Sequence, residues 1–331
     1  MEKEPKTQVL ITVDTELSAG LHQRGYSPSE NFNSSILGRC PTGDFGIIHQ
    51  MECLDARGLK GIYFVDPLPA LIYGEQIISD IVGPIVERGH DVQLHIHTEW
   101  LQWCPNSPVD ERTGRNIADF SFTDQCTLLK YAAEILTRSG AARPIAFRAG
   151  NYGANDDTLR ALYSIGIKWD TSFNPAYLNS GCGISLTADQ TSPAIRECVL
   201  ELPVSTIFDM PAHIRPAQVC ALSSAEMRAA LRHAILQNQP LFNIVTHSFE
   251  LLSRDRKREN LSVINRFNSL AEMIVSDPSL TTATFADLDA KALLETEFQP
   301  TRLSPGYFRT GRRMVEQVLT TWLYERRLLP V

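Results

Sequence analysis

Leu94-His95-Ile96-His97-Thr98 closes one apolar run, Val245-Thr246-His247-Ser248 closes a second, and Asp14-Thr15-Glu16 closes a third, Val9-Leu10-Ile11-Thr12-Val13. Each run has the length of a buried strand, so three strand ends carry imidazoles and carboxylates. In α/β folds the carboxyl ends of parallel strands open onto one crevice, where groups remote in sequence converge. The three strings therefore point to a parallel α/β fold with its chemistry at one rim, the usual setting of a hydrolytic metal site.

Outward from these strings, short apolar runs alternate with helix-period patterns for most of the chain, the signature of βα units. Strands are expected near residues 8–13, 60–65, 91–96, 144–148, 167–171, 198–203, 241–246 and 280–285. Helices are expected over 44–57, where Ile47, Ile48, Met51 and Leu54 share a stripe, and over 123–138, where Leu128, Leu129, Ala132 and Leu136 do. A third, over 223–237, opens at Ser223 or Ser224 with Glu226 in its first turn. Seven or eight strands in this alternation suit a closed or nearly closed barrel. An open nucleotide-binding sheet is disfavoured, because no GxGxxG or GxxxxGKS follows the first strand. Stretches 17–42, 98–122 and 172–197, rich in Ser, Asn, Gly and Pro, follow strand ends, as binding walls or lids do.

The 331 residues are 43% hydrophobic and 21% charged, which excludes a disordered or fibrous chain. A net charge of −7 argues against a nucleic-acid partner, and the basic string Arg254, Arg256, Lys257, Arg258 reads as a solvated loop. Met1–Thr7 runs directly into the Val9–Val13 strand, too short for a signal-peptide core, so a cytoplasmic protein is expected. No stretch approaches the ~20 apolar residues that cross a bilayer. The seven cysteines are scattered, odd in number and without a CxxC pair, so idle thiols are expected rather than disulfides or a cysteine-zinc site. A barrel unit over 1–295 is followed by a tail, 296–331. Within the tail, residues 305–327 place Phe308, Val315, Val318, Leu319, Trp322 and Leu323 on one helical stripe, with Arg309, Arg312, Arg313, Glu316, Arg326 and Arg327 around it. Such a stripe is expected to be buried on its own barrel; a homo-oligomer interface and a peripheral contact with an anionic membrane are the alternatives.

His95 and His97 stand at i, i+2, so an extended backbone turns both imidazoles to one face, and neutral imidazole is a good zinc ligand. Asp14 and Glu16 have the same spacing, and one hard carboxylate completes a three-ligand site with an open position. His247, at a strand's outer end, suits a general acid or base. Arg148 precedes the turn Ala149–Gly153 and suits either a helix-end carboxylate or a catalytic aspartate whose pKa it lowers; Asp170 caps a helix or orients Arg148.

Taken in order, Asp14-Thr15-Glu16, Gly89-His90-Asp91-Val92-Gln93-Leu94-His95-Ile96-His97, Phe147-Arg148-Ala149-Gly150-Asn151-Tyr152-Gly153, Trp169-Asp170-Thr171-Ser172 and Val245-Thr246-His247-Ser248 resemble the five motifs of the polysaccharide deacetylases. These are the NodB-homology proteins, or family 4 carbohydrate esterases, and the resemblance spans roughly residues 7–290. It implies a distorted (β/α) barrel of about seven parallel strands, here followed by a C-terminal helix. It also implies a divalent metal, commonly zinc with cobalt or nickel as alternatives, and hydrolysis of an N-acetyl or N-formyl amide on an amino sugar.

Carried over, Asp14 matches the general base, Arg148 its tether, Asp170 the fourth-motif aspartate, His247 the general acid and His95 the first metal-binding histidine. Two positions depart from the pattern. Thr15 separates the first-motif acids, leaving Asp14 and Glu16 as alternative ligands, and the position four after His95 is Glu99. His97 is therefore nominated as the second imidazole with Glu99 in reserve, giving Glu16, His95 and His97 as the metal set; Trp100 completes an LHxHxxW variant. The implied substrate is a nucleotide-linked, lipid-linked or small free amino sugar. Metal-independent hydrolysis of a non-sugar C–N bond and a non-enzymatic sugar-binding role are the competing readings. Retention of acid, base and tether together weighs against a decayed site.

Overall fold

Strand β1 (Thr7–Thr15) is buried along nearly its whole length, as a central parallel strand covered on both faces must be. The computed structural model describes residues 6–178, 180–298 and 300–324. Eight further strands join β1: β2 (Ile62–Val65), β3 (Asp91–Ile96), β4 (Ala146–Ala149), β5 (Trp169–Asp170), β6 (Ala194–Arg196), β7 (Val199–Glu201), β8 (Leu241–His247) and β9 (Leu280–Thr282). Their order is β8-β1-β2-β3-β4-β5-β7-β6, with β9 against the start of β1. Every pairing is parallel except β6 with β7. The curled sheet is an incomplete barrel, because its end strands β8 and β6 do not pair. Asn243 on β8 closes much of that gap: its carbonyl accepts from the Ser205 amide at 3.1 Å and its Nδ2 donates to Thr171 Oγ1 at 2.6 Å.

Seven main helices flank the sheet: α1 (Ile47–Asp55), α2 (Gln76–Glu87), α3 (Phe122–Arg138), α4 (Asp156–Ser164), α5 (Ser224–Leu236), α6 (Leu261–Ser276) and α7 (Tyr307–Tyr324). Helix α5 begins where the sequence signals it, at a Ser223–Glu226 capping box. Strand alternation divides β1 between two environments. Val9, Ile11 and Val13 pack outward with the helices, whereas Leu10 joins Ile62, Phe64, Ala146 and Leu202 inside the barrel. Continuing at every second residue, the inward row of β1 passes from Leu10 through Thr12 to Asp14 and Glu16. The barrel thus has an apolar floor and a polar rim, and the rim carries the candidate chemistry. All seven cysteines are free. Among the described residues no helix is long and apolar enough to cross a membrane.

The C-terminal stripe overturns its expectation. Phe308, Val315, Val318, Leu319 and Leu323 are 96%, 62%, 69%, 56% and 43% exposed, while Thr310, Arg313 and Thr320 face inward. The Trp322 side chain, Arg326 and Arg327 lie outside the described residues. The physical reason is charge. Asp209 and Glu226 are buried on the surface that α7 covers, and Arg313 pairs with both, at 2.6 and 3.0 Å. Arg266 on α6 pairs with Glu316 at 2.7 Å, and Thr310 Oγ1 donates to the Asp209 carbonyl at 2.8 Å. Turning the apolar stripe inward would strand these buried charges, at a cost greater than the burial would return. Arg313→Met should lower stability by about 3 kcal/mol, since Arg215 and His213 still pair with Asp209. Urea unfolding measures this, and early proteolytic loss of α7 should accompany it.

Candidate metal centre and catalytic cleft

Parallel register makes the first juxtaposition. Asp14 on β1 pairs with His247 on β8, and His95 on β3 pairs with Arg148 on β4, all at the carboxyl ends of their strands. With Glu16 and His97, two residues further along β1 and β3, these groups surround a cleft of about 320 Å³ walled by Tyr152 and Tyr177.

Glu16, His95 and His97 form one cluster, with one potential ligand atom from each lying within 4.8 Å of the others. Glu16 Oε2 sits 3.2 Å from His95 Nε2 and 2.5 Å from His97 Nε2. Each ring is oriented from behind. His95 Nδ1 donates to the Arg148 carbonyl at 2.8 Å, and His97 Nδ1 donates to Glu99 at 2.8 Å. Both Nε2 atoms therefore face the shared point, the arrangement that outer hydrogen bonds impose on metal-ligating histidines. Glu99 stands behind His97 rather than beside His95, so this geometry favours it as a support. The glycine in the third motif is required here, because a Cβ on Gly150 would lie 2.8 Å from the His97 ring and 2.6 Å from the Ile96 carbonyl. The donor set of one carboxylate and two imidazoles fits a zinc-like divalent ion.

Asp14 lies beside this cluster. Arg148, wholly buried, donates from Nη1 to Asp14 at 2.7 Å and to Thr12 Oγ1 at 2.8 Å, with its guanidinium 4.5 Å from the Phe64 ring centre. Burial alone would raise the Asp14 pKa, but the charges of Arg148, His95 and His247 outweigh it and hold the carboxyl below its usual range. Glu16 is held well below its range against the same burial, by His97 and His95. Burial disfavours the charged form of His97, yet Glu16 and Glu99 raise its pKa well above the ordinary histidine value. Asp170 accepts from Ser172 rather than from Arg148, and influences Arg148 through charge. Burial pushes Asp170 above a normal carboxyl, and burial with the neighbouring Asp170 pushes Glu201 well above it.

His247 lies across the cleft, its Nε2 4.0 Å from Asp14 Oδ2 and its Nδ1 3.2 Å from Glu250. Burial works against its charge, but Glu250 and Asp14 prevail and the pKa rises to about 9. Glu250 is itself fixed, accepting from Thr246 Oγ1 at 2.7 Å and Gln218 Nε2 at 2.6 Å. Sequence reasoning missed this residue, although its position three after His247 in a turn was a readable signal. It missed Asp66 too, which ends the β2 run as Asp14 ends β1. Burial lifts the Asp66 pKa to about 7, and its Oδ2 has no hydrogen-bond partner among the described residues.

No family model matches this sequence, and no curated protein does. The fold does have relatives. A candidate polysaccharide deacetylase from Mycobacterium smegmatis superposes with a TM-score of 0.57 at 15% identity, over 91% of this chain and 96% of that one. A 4-alpha-glucanotransferase from Thermococcus litoralis superposes with a TM-score of 0.53 at 11% identity, over 96% of this chain but 46% of that one. The fold is thus the NodB-like barrel of the polysaccharide deacetylases, as the ordered motifs lead one to expect. Identities this low carry architecture alone, so chemistry has to be argued from the rim.

The His247 environment is testable without any substrate. Imidazole NMR resonances of the metal-free protein should titrate near pH 9 for His247 and shift toward the ordinary value in Glu250→Gln. A raised folded-state pKa stabilises the fold fully below about 6.5, and that contribution is lost as pH rises through about 9. Glu250→Gln should therefore destabilise the protein at pH 6 more than at pH 10.

Proposed function

We propose that the protein is a metal-dependent hydrolase that removes an acetyl or formyl group from the nitrogen of an amino sugar. The observation carrying this reading is the convergence of Glu16, His95 and His97 on one point beside an ionised Asp14 and a protonated His247. Glu16, His95 and His97 would hold the ion, zinc being the simplest choice for these donors. When bound there, it would act as a Lewis acid that acidifies water and favours negative charge on the amide oxygen.

The protein's own groups supply the proton traffic. Asp14, kept ionised by Arg148, takes the proton of the attacking water. His247, kept as imidazolium by Glu250, protonates the departing sugar nitrogen, which cannot leave as an anion. The Tyr152 and Tyr177 rings, 5.2 Å apart between centres, offer a wall for a sugar face. The substrate class is a nucleotide-linked, lipid-linked or small free amino sugar.

Elemental analysis should find about one equivalent of zinc, nickel or cobalt per chain. A metal-stripped protein that retains full turnover would instead favour a metal-independent C–N hydrolase on the same fold. His95→Ala, His97→Ala and Glu16→Gln should each lose the ion with the fold intact. Glu99→Gln should keep it with about 10–100-fold weaker affinity, as loss of an outer hydrogen bond does. Full occupancy in His97→Ala together with loss in Glu99→Gln would reverse that assignment.

Asp14→Asn and His247→Ala should retain the ion yet lose roughly 10²–10⁴-fold in turnover, assayed as release of acetate or formate. Metal binding should also release protons near neutrality, because His97 is protonated beside Glu16 and must deprotonate to ligate. Calorimetry in buffers of different ionisation enthalpy would detect this release, and affinity should rise with pH until His97 has lost its proton.

A further inference from the structure

Helix α7 leaves Phe308, Val315, Val318, Leu319 and Leu323 in solvent, spaced so that they form one strip about 22 Å long at 1.5 Å per residue. A continuous exposed apolar strip of this size marks an interaction surface. Its exposure is enforced, since the buried Arg313–Asp209 and Arg313–Glu226 pairs hold the opposite face of the helix inward.

The charges around the strip indicate what covers it. Arg312 lies within the strip and has no ion-pair partner among the described residues, and Arg309 flanks it. At the far end, the loop after β8 meets the last turn of α7. The Arg254 amide donates to the Tyr324 carbonyl at 3.4 Å, and the Arg258 guanidinium lies 5.1 Å from the Tyr324 ring centre. Arg254, Lys257 and Arg258 are exposed, with Asp255 and Glu259 offsetting part of their charge. In a chain of net charge −7, cations are gathered at this apolar strip.

The same loop reaches the cleft. Arg256 stacks 4.0 Å from the Phe249 ring centre, and that ring lies 5.5 Å from His247. Strip, cationic border and catalytic rim are therefore contiguous. A second copy of the chain is a poorer occupant, because strip-to-strip packing would bury Arg312 without a counter-charge. At a bilayer, its aliphatic stem stays among apolar groups while the guanidinium reaches phosphate.

We propose that α7 and the 254–258 loop form a docking surface for an anionic lipid bilayer. Helix α7 lies in the headgroup plane with its strip inserted, and the mouth of the cleft is brought to the membrane surface. If the hydrolase reading holds, this geometry selects lipid-linked amino sugars among the possible substrates; that consequence rests on the proposed function, whereas the docking does not.

The test is flotation of the full-length protein with vesicles of phosphatidylcholine alone or mixed with phosphatidylglycerol. Wild type should float with the mixed vesicles, less so in high salt, and poorly with phosphatidylcholine alone. Val315→Glu/Leu319→Glu should cut partitioning by roughly tenfold or more. Arg312→Glu should cut it by roughly fivefold or more. Both should melt as wild type does, since the altered positions face solvent. Leu236→Glu, a change at an exposed leucine on α5, should bind normally.

Absence of wild-type binding, or equal binding by the double variant, overturns the proposal. So does a lipid-free dimer in light scattering that the double variant reduces to a monomer, which would assign the strip to a second copy. Protein that floats but holds no metal leaves the docking standing and removes the metal-dependent hydrolase reading instead.

Discussion

The rim depends on one buried contact, the Arg148 guanidinium against the Asp14 carboxylate. Arg148 is fully enclosed, and its donors reach Asp14 and Thr12 on β1 and the Thr171 carbonyl after β5, while its plane lies over Phe64 of β2. A single side chain of β4 thereby ties three other strands at the level where the apolar floor ends. Buried ion pairs are poor sources of stability, because desolvation of both charges offsets their attraction. What this pair contributes is a charge state: burial would neutralise Asp14, and Arg148 prevents it. The Arg148 carbonyl meanwhile fixes the His95 tautomer, so one residue sets both the proposed base and a proposed ligand.

From that contact the remaining charges follow in sequence. An ionised Asp14 stabilises a protonated His247 only 4.0 Å away, and Glu250 reinforces it from the other side. The proposed acid and base are then both in the forms those roles need at one pH, a condition that opposed environments create. Glu16 is held ionised by the two imidazoles it faces, and His97 retains its proton because of it. A divalent cation would replace that proton and satisfy the same electrostatic demand. The cluster is accordingly poised to exchange a proton for metal.

The sequence was informative where period and position coincide. Each of the eight expected strands is present, because parallel strands buried on both faces leave uninterrupted apolar runs. The rim residues Asp14, His95, Arg148 and His247 could be nominated because each ends such a run. Asp66 obeys the same rule and was overlooked for lack of a familiar string around it. Glu250 was hidden for another reason: its role depends on a turn that folds it back onto His247, and no periodic pattern encodes that turn. Asp170 reads from the sequence as a helix cap or as orienting Arg148; its hydrogen bonds are with Ser172 and Glu201, and Arg148 acts on it through charge.

Helix α7 separates what periodicity determines from what it leaves free. Its stripe was readable, but amphipathicity specifies only that a helix has two different faces. The direction each one points depends on the surface beneath, here two buried carboxylates contributed by the Thr206–Met210 strand and by α5. Arg313, Gln317 and Thr320 follow the same helical spacing as the apolar residues, so a polar inner face satisfies the period equally well. Core composition alone favours burying the apolar side; uncompensated Asp209 and Glu226 reverse that preference. Exposed apolar surface on this helix is therefore a consequence of charge pairing underneath it, and the barrel retains an amphipathic edge next to its polar rim.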